Sequence, residues 1–197
     1  MGSKKSACVH KEDIVQAALE EIGKYGVRQL TIAAIADAAG MSKTNFYRHF
    51  SEKEEIFFAI ADYIGSAIMG KAETIAESDG KPLGKLEAIF FSHLNLVAKQ
   101  PGIPRFVFSE DIQLCNSKLA GTVAFLIGTY VKIVSGIVAA GIAEGELKQD
   151  LSPRQTALTL IGTIQFTALR WTISDASFDK QEEIEELWRN FSLLNRV

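Results

Sequence analysis

The chain has 197 residues, of which 47% are apolar, enough to bury one large core or two smaller ones. Its 21 basic and 24 acidic side chains leave a net charge of −3, and neither a membrane-length apolar run nor a secretory leader is expected. These features argue against a membrane protein and predict a cytoplasmic one with Cys8 and Cys115 reduced.

Residues 11–26 form the first predicted helix. Val15, Ala18, Leu19 and Ile22 recur on one face, and Gly26 ends the pattern. That apolar face needs a partner, which the next two helices can supply. The three helices together would make a small N-terminal domain.

Residues 31–53 read as two short helices around a tight turn. The first has apolar residues at i, i+3, i+4 and i+7 from Ile32, and Thr31 precedes it as the N-cap. Gly40 supplies the positive φ that ends this helix, and Ser42 caps the next. The spacing predicts a helix-turn-helix.

The second helix of this motif, residues 43–50, turns polar side chains outward because Phe46 and Phe50 face inward at i and i+4. Asn and Arg pair with adenine and guanine edges, whereas Thr, Tyr, His and Lys bond phosphates or touch thymine methyls. Each residue alone could be an ordinary solvated side chain, but their succession after the turn predicts DNA binding. The predicted DNA contacts are Thr31, Ser42, Lys43, Thr44, Asn45, Tyr47, Arg48, His49 and Lys53.

Residues 26–57 resemble the N-terminal domain of the TetR family of bacterial transcriptional regulators. Two positions depart from the family pattern, since Thr44 stands where Gly is frequent and Phe46 where Leu is usual. The exposed Thr44 would change which operator is read. The resemblance implies a homodimer that binds a near-palindromic double-stranded DNA operator. The matching residues are Thr31, Ile35, Ala36, Ala39, Gly40, Ser42, Lys43, Tyr47, Phe50, Lys53 and Glu54.

Charge is divided unevenly along the chain. Residues 1–55 hold eight basic and eight acidic side chains, so the net −3 belongs to residues 56–197. Residues 41–53 hold three basic side chains against one acidic, which makes the surface facing DNA locally positive.

Every later segment is predicted to be helical. The fold class is therefore all-α, with an N-terminal three-helix helix-turn-helix DNA-binding domain at residues 1–55. A C-terminal helical ligand-binding and dimerisation domain would occupy residues 56–197. The predicted helices cover residues 54–75, 83–100, 104–113, 117–144, 153–173 and a last segment capped at Asp179, with breaks at 78–84 and 101–104.

Two predicted helices are candidates for subunit contacts. The resemblance implies a four-helix bundle made by the last two helices of each subunit, here residues 153–173 and the segment after Asp179. The alternative is that the last helix packs on its own subunit. The predicted interface residues are Leu169, Ile184, Leu187, Trp188 and Phe191.

The middle helices are rich in aromatic residues, with Phe125 and Phe166 among them. Such a set is more often plain core than a ligand site. Polar residues mixed into it favour a pocket, since buried polar groups need partners. The predicted pocket consists of Phe90, His93, Leu94, Phe106, Phe108, Leu126, Tyr130, Gln165 and Trp171.

Catalysis has little support. The chain has no GxSxG, Walker A, GxGxxG or HExxH motif. Of its three histidines, His10 lies near the N-terminus and His49 belongs to the predicted DNA contacts. His93 remains as a candidate general base, but no nucleophile is evident beside it. We expect no enzyme activity, no catalytic residue, no metal site and no cofactor.

The sequence thus predicts a homodimeric repressor that a small, largely apolar ligand releases from its operator. One alternative keeps the DNA binding but uses the second domain to dock a protein partner. Another is a helical carrier of hydrophobic molecules. A ligand cavity of roughly a few hundred Å³ would separate a sensor or carrier from a docking protein.

Overall fold

The computed structural model describes residues 10–115, 117–173 and 180–197, and these form an all-α fold without a β-strand. The predicted fold class is confirmed. Residues 1–9 and Asp179 lie outside the described residues. The helices are α1 (Lys11–Tyr25), α2 (Ile32–Ala38), α3 (Lys43–Phe46), α4 (Lys53–Gly65), α5 (Lys71–Glu77), α6 (Pro82–Lys99), α7 (Gly102–Val107), α8 (Glu110–Cys115), α9 (Ser117–Ala143), α10 (Pro153–Ile173) and α11 (Lys180–Asn195).

The first three helices enclose a small apolar core. The face predicted on α1 is buried, and Phe46 and Phe50 close the core with their ring centroids 5.6 Å apart. Helix α3 ends at Phe46 rather than at Phe50, because the backbone N–H groups of Arg48 and His49 bond carbonyls three residues back. This tighter turn still leaves Phe50 directed inward.

The helix predicted over residues 54–75 is interrupted by a π-helical turn. Helix α4 runs into Ser66–Gly70, which has π geometry, and then continues as α5. A π turn holds one residue more than an α turn, so it rotates the side chains that follow it. The proposed domain boundary at residue 55 falls inside α4 and stays a prediction.

The break predicted at residues 101–104 is shorter than expected: α6 ends at Lys99, Pro101 is the N-cap of α7, and Gly102 to Pro104 already belong to that helix. Pro104 is tolerated in the first turn of α7, where backbone N–H groups have no intrahelical acceptor. The helix predicted over residues 104–113 is therefore two helices, α7 and α8. Gly102 lies so close to α1 that a Cβ there would overlap the carbonyl oxygen of Leu19. Helix α7 thus packs directly on the N-terminal domain.

Helices α6, α9 and α10 form the core of the second half of the chain, and α11 covers α6 through Trp188 and Phe90, whose ring centroids lie 5.7 Å apart. By length and composition alone, α9 could cross a membrane. Our expectation that no apolar run approaches a membrane span was wrong for this helix. Helix α9 packs along α10 and α6.

Candidate DNA-binding surface and ligand cavity

Side-chain caps fix the turn between α2 and α3. The Thr31 hydroxyl oxygen accepts a hydrogen bond from the backbone N–H of Ala34 at 3.1 Å. The Ser42 hydroxyl accepts one from Asn45 at 3.2 Å, and Gly40 has a φ of +65° between the two caps. Both helices therefore begin at defined residues, and the motif has a fixed shape.

Six of the nine predicted DNA contacts are exposed. Lys43, Thr44, Tyr47 and Arg48 are exposed along and just after α3. Asn45 is half-buried, so less of its amide reaches the surface than the spacing predicted. Thr31 and Ser42 are exposed, but their hydroxyl oxygens serve as helix caps. The DNA contacts themselves stay predictions.

His49 and Lys53 occupy less open positions. His49 is half-buried and lines an open groove between α1 and α4 that includes Lys11 and Asp62. The Lys53 ammonium lies 5.3 Å from the centroid of the Phe57 ring. Partial burial lowers the pKa of Lys53, opposed by the nearby charge of Asp111 on α8.

A small, mostly apolar cavity lies in the second half of the chain. Its volume is about 60 Å³, and it is bordered by α4, the π turn, α6, α7, α9 and α10. The lining residues are Ala61, Ile64, Gly65, Ile68, Met69, His93, Phe106, Val107, Val123, Leu126, Ile127, Tyr130 and Gln165. Among the elements that border the cavity, α4 and α7 also reach the DNA-binding motif.

A histidine and a tyrosine form a buried polar pair at this cavity. The Nδ1 atom of His93 lies 3.2 Å from the Tyr130 hydroxyl, and both side chains are buried. Burial lowers the pKa of His93 to about 4 and raises the pKa of Tyr130. Both groups are consequently uncharged near pH 7.

The structure brings together part of the predicted pocket. His93, Phe106, Leu126, Tyr130 and Gln165 line the cavity. Four other predicted members do not line it, because Phe90 and Leu94 are packed in the core, Trp171 donates its indole N–H to Glu183, and Phe108 lies at the end of α7. The exposed rings of Phe125 and Phe166 are not core either.

Helical spacing did not identify several lining residues. Val123 and Ile127 could have been found, since together with Leu126 and Tyr130 they follow the i, i+3, i+4, i+7 pattern of one helix face. Ile68 is in step with Ile64 on the helix predicted over residues 54–75, and Ala61, Ile64 and Ile68 follow i, i+3 and i+7, so Ile68 could also have been assigned to the cavity. The π turn at Ser66–Gly70, which holds Ile68 and Met69, had no signal of its own in the sequence.

Three of the five predicted interface residues are buried within their own subunit. Ile184, Trp188 and Phe191 pack inward, and the rings of Trp188 and Phe191 stack at 5.7 Å. For these residues the structure favours the alternative that the last helix packs on its own subunit. Leu169 and Leu187 are half-buried. The apolar side chains that remain exposed on α10 and α11 are Phe166, Ile173, Leu193 and Leu194.

An ion pair joins these two helices within the subunit. Arg170 of α10 pairs with Glu183 of α11, which also accepts the Trp171 indole hydrogen bond at 2.8 Å.

Among the described residues, no group of three His, Cys, Asp or Glu side chains is placed to hold a metal ion.

Comparison with known proteins shows relatives along the whole chain. A fatty acid metabolism regulator protein of Bacillus subtilis is 28% identical over 167 residues, which are 84% of this chain and 85% of the relative. The nucleoid occlusion factor SlmA of Vibrio vulnificus is 24% identical over 95% of both chains. The crystal structure of FadR from Bacillus subtilis in complex with stearoyl-CoA has the same fold, with a TM-score of 0.77 at 23% identity over 93% of this chain and 98% of that one.

Two family models account for nearly all of the described chain. Residues 14–60 match the model of bacterial regulatory proteins of the tetR family, and residues 61–192 match the C-terminal region of YsiA-like proteins. The first match contains the helix-turn-helix, and the second contains the whole cavity lining and helices α5 to α10. The chain therefore belongs to the tetR family of bacterial transcriptional regulators.

Proposed function

We propose that this protein is a cytoplasmic, homodimeric repressor that leaves its operator when a small, largely apolar ligand binds, and that the ligand is a fatty acyl thioester of coenzyme A. The protein acts by binding and without catalysis. The observation that carries the proposal is the apolar cavity with its buried polar pair. The cavity is bordered by α4 and α7, which also reach the DNA-binding motif.

The DNA-binding part of the proposal is supported by the exposed side chains of Lys43 and Thr44 on the capped helix α3 and of Tyr47 and Arg48 just after it. An Arg and a Lys can bond guanine edges and phosphates, and a Tyr can bond phosphates. A symmetric dimer would present two such sets of side chains, so the operator would be a near-palindrome.

The ligand class is supported by the cavity lining and by the relatives. One relative regulates fatty acid metabolism, and a structure of the same fold holds stearoyl-CoA. A volume of about 60 Å³ is too small for a long acyl chain, so the proposal requires the cavity to widen when the ligand enters. Side chains such as Met69 and Leu126 are long and adaptable.

Release would follow from the position of α7. Its Phe106 lines the cavity and lies 5.9 Å from the Phe57 ring of α4, measured between centroids. Its Gly102 packs on α1. A ligand that displaces α7 would therefore act on α1 and α4, the helices on either side of the DNA-binding motif. The size of this effect is limited by how much more tightly the ligand binds the displaced state.

Self-association would use the apolar side chains that the subunit leaves uncovered. Phe166 and Ile173 project from α10, and Leu194 projects from α11. With the half-buried Leu169 and Leu187, they lie on the last two helices, for which the resemblance implied subunit contacts.

The decisive experiment measures operator binding with and without an acyl thioester. After the operator is found by mapping bound sites in the source genome, a gel-shift titration with octanoyl-CoA and stearoyl-CoA should weaken DNA binding by at least about tenfold. Coenzyme A alone should have no effect. DNA affinity that no acyl thioester changes would contradict the ligand-controlled repressor.

A second candidate keeps the DNA binding but not the ligand. Here the second domain docks a protein partner, and the specific observation in its favour is the small cavity, together with the similarity to a nucleoid occlusion factor. The same titration distinguishes the two, since a docking protein would bind its operator equally well at every thioester concentration.

A further inference from the structure

The cavity has few polar side chains, and none of those described carries a charge. Among the described residues that line it, the polar side chains are those of His93, Tyr130 and Gln165, and none is a Lys, Arg, Asp or Glu. The remaining lining is aliphatic apart from Phe106. A ligand in this cavity therefore meets the His93 and Tyr130 pair and the uncharged Gln165 amide within apolar walls.

The His93 and Tyr130 pair always has one donor left for a ligand. If the Tyr130 hydroxyl donates to Nδ1, then the His93 proton is on Nε2, which no described side chain or backbone group engages. If Nδ1 carries the proton and donates to the hydroxyl oxygen, then the Tyr130 O–H is left to donate elsewhere. In both tautomers the pair can donate one hydrogen bond to an oxygen in the cavity.

Shape and burial direct that donor toward the cavity. His93 is 4% exposed and Tyr130 is 4% exposed, yet both line the cavity, and no buried polar atom of the described residues is without a partner. The Nε2 atom must therefore keep contact with the cavity surface rather than be sealed in the core. At the surface of an apolar cavity, this nitrogen forms a hydrogen bond only if a polar atom enters the cavity.

The same surroundings disfavour a charged group. A carboxylate in this cavity would lose its hydration and gain no cation, because no basic side chain lines the walls and His93 is neutral. An ammonium group would likewise find no carboxylate. An uncharged oxygen loses much less hydration and regains a hydrogen bond from the pair.

We propose that the His93 and Tyr130 pair selects an uncharged carbonyl or hydroxyl oxygen on an apolar skeleton, so that esters, thioesters and ketones bind while free fatty acids do not. This inference rests on the proposed ligand response and narrows it to ligands without a buried charge. At about 30 Å³ for each group of water size, the cavity of about 60 Å³ holds about two such groups, enough for a carbonyl oxygen and its carbon. The rest of a longer chain requires the walls to move.

The test compares three probes of similar size on the full-length protein. They are 2-heptanone, heptanoate at pH 7.5, and 1-chloroheptane, which has as many heavy atoms as the ketone but no oxygen. Ligand-observed NMR gives their dissociation constants. We expect the ketone to bind at least about tenfold more tightly than heptanoate, and several-fold more tightly than the chloroalkane.

The matched variant is His93→Leu with Tyr130→Phe, which replaces both partners by apolar side chains and leaves no orphaned polar atom. It should lose about tenfold in ketone affinity while its affinity for 1-chloroheptane stays the same or rises. Tyr63→Phe is the control, because the Tyr63 hydroxyl bonds Gln100 outside the cavity. If the double variant does not fold, then the contrast between ketone and chloroalkane in the wild-type protein decides.

Several outcomes would overturn the inference. Heptanoate binding as tightly as the ketone would do so, and so would a double variant that keeps its ketone affinity or a wild-type protein that prefers the chloroalkane. If octanoyl-CoA releases the operator while none of the three probes binds, then the selection by this pair is wrong but the repressor proposal stands. If neither the probes nor the thioester has any effect, both fail.

Discussion

Two basic side chains of the DNA-binding motif differ in their surroundings, and this difference predicts different roles. Arg48 is exposed just after α3, whereas Lys53 is partly buried against Phe57 at the start of α4. An Arg held toward the major groove can read a base edge, whereas a Lys at a helix N-terminus contributes mainly to phosphate binding.

We expect Arg48→Ala to cost about 1–3 kcal/mol of operator binding and to relax the base preference at one position of each half-site. Lys53→Ala should weaken binding to all sequences and reduce its salt dependence. A gel-shift series over operator variants and salt concentrations measures both. Arg154→Ala, an exposed change on α10, is the control. Unchanged affinity and base preference in Arg48→Ala would contradict the role of that residue.

His93 predicts a pH dependence of stability. Its pKa is about 4 in the folded chain against 6.5 for an unperturbed histidine, so the unfolded state binds more protons between these values. The contribution of His93 to the free energy of unfolding is therefore fully present above pH 6.5 and is lost as the pH falls toward 4. At pH 5 the free energy of unfolding should be lower by about 2 kcal/mol. Urea unfolding at pH 7.5 and 5 measures the loss. The His93→Leu and Tyr130→Phe double variant should lose about 2 kcal/mol less, and an equal loss in both proteins would contradict the prediction.

At the scale of elements, α7 joins the two halves of the chain at its two ends. Its first residue, Gly102, lies against the backbone of α1, and its Phe106 lies against the cavity and the Phe57 ring. Only a residue without a Cβ permits this close approach, because the obstructing atom at Leu19 belongs to the backbone and cannot rotate away.

Gly102→Ala should therefore destabilise the protein by at least about 1–3 kcal/mol, as overpacking does elsewhere. Gly84→Ala is the matched control, since a methyl group added at Gly84 in α6 would meet no atom within 4 Å and should gain up to about 1 kcal/mol of helix propensity. Urea or thermal unfolding compares the two. A Gly102→Ala protein as stable as the wild type would show that α7 is not held tightly against α1.

At the scale of the whole molecule, the apolar side chains left exposed by one subunit predict how two subunits meet. Phe166 is 67% exposed on α10, and Leu194 is 72% exposed on α11. Exposed side chains of this size on neighbouring helices are typical of an interface. Trp188 and Phe191 are different, because they hold α11 on α6 within the subunit.

Phe166→Glu with Leu194→Glu should give a folded monomer that no longer holds the operator, because each charge would be buried without a partner in a dimer. Tyr25→Glu is the control, since Tyr25 is 59% exposed at the end of α1, far along the chain from the last two helices, and should leave the assembly intact. Sedimentation and circular dichroism measure mass and folding. A double variant that still sediments as a dimer would exclude this surface. By contrast, Trp188→Glu should unfold the chain rather than dissociate it.

The sequence by itself determined the features that depend on neighbouring residues. Thr31 and Ser42 cap their helices because a hydroxyl oxygen reaches an N–H group three residues away, and Gly40 turns the chain because it has no side chain. The all-α fold and the family resemblance followed from the same short-range patterns, and both are confirmed.

Only the tertiary structure decided what covers each apolar face. Helical spacing marked Trp188 as apolar-facing but could not say whether α6 or a second subunit would cover it, since a periodic pattern contains no information about its partner. For the same reason, the sequence predicted only part of the cavity lining. Phe90 and His93 lie on one helix, yet packing seals the first in the core and leaves the second at the cavity. The π turn, which holds the lining residues Ile68 and Met69, had no signal in the sequence pattern.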